Sequence, residues 1–175
     1  MNALDWTHTV RDLPAGGLAI TRKASPEEAL RLAKELAIVS VDALSGRYRI
    51  TPMSNGRLGV SGTVEARVTQ ECVVTLEPVT STVSVPFDVI FTPHAHVPDP
   101  EIEGSLGDLE SPDEEPIENG VLDIGRVVVE ELVSGLDPYP RREGASLDWT
   151  DEKAAASVAS PFAALARLKR SNDPE

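Results

Sequence analysis

Chemistry in this sequence has few residues to start from. Cys72, in the stretch TQECVVTLEPV, is the only cysteine, and His8, His94 and His96 are the only histidines. Cys72 has three readings: a nucleophile, half of a metal site, or a small apolar residue in a strand. A nucleophilic thiolate needs basic neighbours to lower its pKa. Its neighbours in sequence are Glu71 and Glu77, with no base close by. Its parity matches Ala66 and Val68, which points to a buried face, where free cysteine is common. His94 and His96 form His-x-His, and on a strand both rings would share a face and a metal. Pro93 and Pro98 bracket them, which favours a loop with two solvated histidines. No phosphate-binding glycine loop, His-Glu-x-x-His or Gly-x-Ser-x-Gly pattern occurs. We therefore expect no catalytic residue, no metal and no cofactor.

The elements that must position these residues follow from periodicity. Ser25, Pro26 and Glu28 make a helix start with a capping box, followed by Leu30, Ala33, Leu36 and Ala37 at helical spacing, so we expect a helix over 26–36. The pattern then alternates. Leu58, Val60, Val64, Ala66, Val68 and Cys72 share one parity, as do Val79, Val83, Val85, Phe87, Val89 and Phe91. Asn55-Gly56 marks a turn. Together these predict a meander of long antiparallel strands with one face buried. Ile124, Val128, Leu132 and Leu136 recur every fourth residue behind Asp123 as N-cap, and Gly135 and Pro138 close this second helix.

The fold class is α+β: an antiparallel meander or an open barrel, with two main helices, a long acidic loop and a short C-terminal helix. We expect a single domain over 1–140 with the acidic loop at 93–119. A polar linker follows over 141–159, then a short helix and tail over 160–175. Self-repelling acids should make 97–118 the most mobile internal segment.

The 175 residues carry a net charge of −13 and only 4% aromatics. That charge is concentrated. Between Val68 and Gly125 there are thirteen acids and no Lys or Arg, whereas sixteen acids and sixteen bases balance elsewhere. Such a stretch repels nucleic acid and attracts a basic protein. No apolar run is long enough to span a membrane and the start lacks the pattern of a secretory signal, so we expect a cytoplasmic protein.

Three motifs now carry a resemblance. CVVTLEPV is similar to a Cys-x-x-Cys-Leu-x-x-Val signature, with Thr75 in place of the second cysteine. LDIGRVVVEELVSGLDPYP resembles an acidic helix with a Pro-rich close, and SPFAALARLKR resembles a Pro-Phe-Ala-x-Leu-x-x-Leu-Lys ending. In this order they resemble the YceD-like family, the large ribosomal RNA subunit accumulation proteins, across most of residues 10–170. Some members carry further cysteines where this chain reads YPRREGA. A lone thiolate leaves zinc with too few ligands, so Cys72 reads as one survivor of such a pair, kept in the core.

The resemblance implies a non-catalytic role in large-subunit biogenesis. Its partner would be a basic ribosomal protein or a pre-ribosomal particle, met in part through Pro161, Phe162, Leu165, Leu168 and Lys169. The alternative is direct RNA binding through Arg47, Arg49, Arg57 and Arg67, with Arg47/Arg49 and Arg57/Arg67 each on one strand face. Against it stands an ordinary solvated sheet face.

Overall fold

The structure is a computed structural model and describes residues 3–93 and 113–146. The capping box forms as its residues predict. Ser25 Oγ accepts from the Glu28 N–H at 3.2 Å, and the Glu28 carboxylate accepts from the Ser25 N–H at 2.8 Å. Helix α1 runs Pro26–Glu35. Its inward stripe is Ala29, Leu32, Ala33 and Leu36, which has i, i+3, i+4, i+7 spacing. Leu30 is off this stripe and 74% exposed. Ala37 adopts φ 52°, so the chain has left the helix there.

The strands are β1 (Thr7–Thr9), β2 (Leu18–Lys23), β3 (Ser40–Pro52), β4 (Leu58–Glu71), β5 (Pro78–Thr92), β6 (Asp113–Pro116) and β7 (Val121–Asp123). Five of them form a sheet in the order β2-β3-β4-β5-β6, and β1 pairs with β7 separately. The β3–β4 connection turns at Asn55 (φ 61°) and Gly56 (φ 71°). Positive φ at both positions is what Asn-Gly tolerates.

Alternation decides which face is buried. Leu58, Val60, Val64, Ala66 and Val68 on β4 and Val83, Phe87, Val89 and Phe91 on β5 all face the core. A bulge between Val41 and Ala43 interrupts β3 and leaves Asp42 and Ala43 both outward. Helix α2 (Ile124–Gly135) starts at Asp123, whose carboxylate accepts from the Arg126 N–H at 3.0 Å. It buries Ile124, Val127, Val128 and Leu132 in the same core as α1. A Cβ at Gly135 would lie 2.5 Å from a Val85 methyl and 2.6 Å from a Val83 methyl. Gly135 therefore lets the end of α2 close onto β5, besides ending the helix.

The sheet is not closed among the described residues, since β2 and β6 are its edges and do not pair. Two expectations need correction. First, the sheet is mixed, because β5 and β6 pair in parallel. Second, Asp113–Pro116, assigned to the acidic loop, is a strand. An acidic, Pro-containing tetrapeptide has no apolar alternation to announce it; edge pairing to Val89–Thr92 and the Ile117 N–H to Thr92 carbonyl bond (2.9 Å) hold it. The rest of the expected loop, at 94–112, lies outside the described residues.

The N-terminal segment contributes core that alternation did not reveal. Ala3, Leu4 and Trp6 are buried, and Gly125 N–H donates to the Trp6 carbonyl at 3.0 Å. The chain splits into two units at Glu143 and Gly144, and everything described here concerns the first.

Candidate functional site

Cys72 follows β4 at the point where the chain turns into Val73–Thr75. It is fully closed to water, as its parity predicts. Its backbone fixes the corner: Cys72 N–H donates to the Glu77 carbonyl (2.8 Å), and Leu76 N–H donates to the Cys72 carbonyl (2.9 Å). The sulfur accepts from two backbone N–H groups, Thr75 and Arg142, each at 3.4 Å. Arg142 arrives because Val73 N–H donates to the Pro140 carbonyl (2.9 Å), and its guanidinium pairs with the Glu77 carboxylate.

These donors lower the Cys72 pKa to about 6, with the Thr75 hydroxyl contributing most, then the N–H groups of Arg142, Thr75 and Val74. Burial opposes them but contributes less than the bonds from Thr75 and Arg142. Sequence distance hid this environment, since Arg142 lies seventy residues away. Through the Thr75 and Arg142 N–H bonds the buried sulfur ties the β4–β5 corner to the segment after α2.

Of the four arginines considered for RNA, the structure brings three onto one face. Arg47, Arg49 and Arg67 all point outward from β3 and β4. Arg67 lies 4.0 Å from Asp42. Arg47 and Arg49 have no ion-pair or hydrogen-bond partner among the described residues. Arg57 precedes β4, is half-buried and leaves its Nε without a hydrogen-bond acceptor among the described residues. Arg47 sits between Thr21 and Thr63, and Arg49 between Ala19 and Ser61, along a shallow groove of about 480 Å³.

Charge is graded across the sheet. Arg22 and Lys23 give β2 +2; Arg47 and Arg49 against Asp42 give β3 +1. Arg67 against Glu65 and Glu71 gives β4 −1, Asp88 gives β5 −1, and Asp113, Glu114 and Glu115 give β6 −3. The acidic edge is anchored by Arg126, which pairs with Glu115 and, at 3.1 Å, with Glu130. Acids still crowd there: burial and then repulsion from Asp113 and Glu130 hold the Glu131 carboxyl above its ordinary pKa.

Among the described residues no cluster of three metal-binding side chains forms, and the His8 Nε2 lies 2.8 Å from the Tyr48 hydroxyl. Burial, and then the Arg22 charge, hold its pKa below the ordinary value. His94, His96, Pro161, Phe162, Leu165, Leu168 and Lys169 lie outside the described residues. No helix among the described residues is long and apolar enough to cross a membrane.

Fold and site together define a small α+β domain with a charge-graded open sheet and a sulfur-pinned corner. The family model described as large ribosomal RNA subunit accumulation protein YceD matches residues 60–169. The chain belongs to that family, which the name links to accumulation of large-subunit ribosomal RNA. No curated protein and no solved structure matched the chain.

Proposed function

We propose that the protein is a non-catalytic, cytoplasmic factor in large ribosomal subunit biogenesis. It supports accumulation of the subunit's RNA by contacting a basic ribosomal protein or the pre-ribosomal particle. The family match supports the process. The observation that carries the partner class is the crowded acidic edge. Burial first, and then repulsion from Asp113 and Glu130, hold the Glu131 carboxyl above its ordinary pKa. A cationic partner relieves that repulsion on binding, so part of its affinity comes from strain present in the free protein. Pro161, Phe162, Leu165, Leu168 and Lys169 belong to the same reading as an apolar and basic contact, and all five fall within the matched span.

The test has two parts. Tagged protein is mixed with purified large-subunit ribosomal proteins at physiological salt. It is compared with the variant Asp113→Asn/Glu114→Gln/Glu131→Gln. Retention of a basic protein that drops in the variant is expected; equal retention, or none by the wild type, overturns the partner class. In cells lacking the protein, the ratio of large- to small-subunit ribosomal RNA is expected to fall, and an unchanged ratio overturns the process.

A further inference from the structure

We infer that the outward face of β2 and β3 is a docking surface for the backbone of double-stranded RNA. The choice of RNA as the polyanion rests on the ribosomal reading above; the surface itself does not. Its cations are Lys23, Arg47 and Arg49, and all three are exposed. Arg47 and Arg49 have no partner among the described residues, although Asp42 stands on the same strand and Glu65 on the next. Cations that meet no acid among the described residues are free there to meet phosphate. They are two residues apart on one strand face, about 6.7 Å, and so lie along a line. The hydroxyls of Thr21, Ser61 and Thr63 border the same groove and suit the ribose 2′-OH.

The surface also says what it does not read. No aromatic side chain faces outward on β2, β3 or β4; Tyr48, the one aromatic in these strands, is buried beneath the sheet. Single-stranded binders stack bases on such rings. A ring-free row of guanidinium and hydroxyl groups instead fits a duplex held by shape and phosphate, without sequence preference.

Three phosphate contacts give a log–log salt slope near −2.7, or about a 40-fold loss of affinity between 50 and 200 mM salt. The experiment is fluorescence anisotropy of a labelled RNA hairpin with the full chain over that range. Arg47→Ala/Arg49→Ala is expected to reduce the slope by about 2, whereas Arg47→Lys/Arg49→Lys keeps it. Lys34→Ala, on α1, is expected to leave binding unchanged. Circular dichroism melting confirms that each variant folds. The inference is overturned if the wild type shows no RNA binding at 50 mM salt, if the double alanine variant keeps the full slope, or if anionic vesicles are bound and RNA is not. Any of these outcomes leaves capture of a basic protein at the acidic edge as a separate measurement, so the two readings fail separately.

Discussion

Replacing Gly135 with alanine sets two effects of opposite sign against each other. Alanine is the better helix former, and in a helix interior the change stabilises by about 1 kcal/mol. Gly135 is the last residue of α2, so that figure is an upper bound here. Against it, the new Cβ would stand 2.5 Å from a Val85 methyl and 2.6 Å from a Val83 methyl. Contacts that short force a shift, and overpacking of this kind costs about 1–3 kcal/mol. Val83 is 6% exposed and held in the core, so it has little room to give way. The packing cost therefore wins, and Gly135→Ala is expected to destabilise by about 1 kcal/mol, or about 3 °C in Tm for a chain of this size. Urea unfolding measures it directly. The same change on a Val83→Ala or Val85→Ala background removes one of the two overlaps, so a coupling of about 1 kcal/mol is expected there. A Gly135→Ala protein more stable than the wild type would refute the close approach of α2 to β5, because propensity alone predicts that result.

Two further outcomes follow from the same geometry. The folded Cys72 pKa of about 6 lies below the unfolded value of roughly 8.5. A depressed acid contributes stability that is complete above the unfolded value and is lost as pH falls through the folded one. The Tm difference between wild type and Cys72→Ser should therefore widen from about pH 6 to about pH 9, and a constant difference contradicts the anionic sulfur. At the first helix, Ser25→Ala should cost about 1 kcal/mol. Glu28→Ala should cost more, because that carboxylate also accepts from the Asp5 N–H at 3.1 Å. Equal losses by thermal melting would show that the link to Asp5 adds nothing.

What could be read from the sequence was whatever a local period encodes. The caps at Ser25 and Asp123, the Asn55-Gly56 turn and the buried parity through Val68 to Cys72 each depend on residues within a few positions of one another. What escaped depends on distance. The donors to the Cys72 sulfur include an N–H seventy residues on, so its neighbours in sequence, Glu71 and Glu77, suggested no source of a lowered pKa. Strand β6 exists because β5 offers an unpaired edge, and nothing within DEEP foretells that. Arg47/Arg49 and Arg57/Arg67 looked alike by parity. Arg57 left its group because the turn at Ser54–Gly56 places it before β4, half-buried.

The charge gradient removes an apparent contradiction in assigning an RNA surface to a chain of net charge −13. Net charge governs behaviour at distances where separate groups blur together, whereas a docked ligand meets only what lies within a screening length. Neighbouring strands are about 4.8 Å apart, so β2 and β6, with four spacings between them, are separated by about 19 Å. At physiological ionic strength the screening length is about 8 Å. The −3 of β6 is thus more than two screening lengths from the +2 of β2, and β5 and β4, each −1, lie between. A duplex on Lys23, Arg47 and Arg49 feels the nearest strands strongly and the acidic edge weakly. A basic protein at Asp113 and Glu114 is in turn shielded from the arginines. Strand order therefore keeps the two proposed surfaces electrostatically apart, each at its own edge. A chain with the same composition but with β2 beside β6 would bring the two fields together and weaken both.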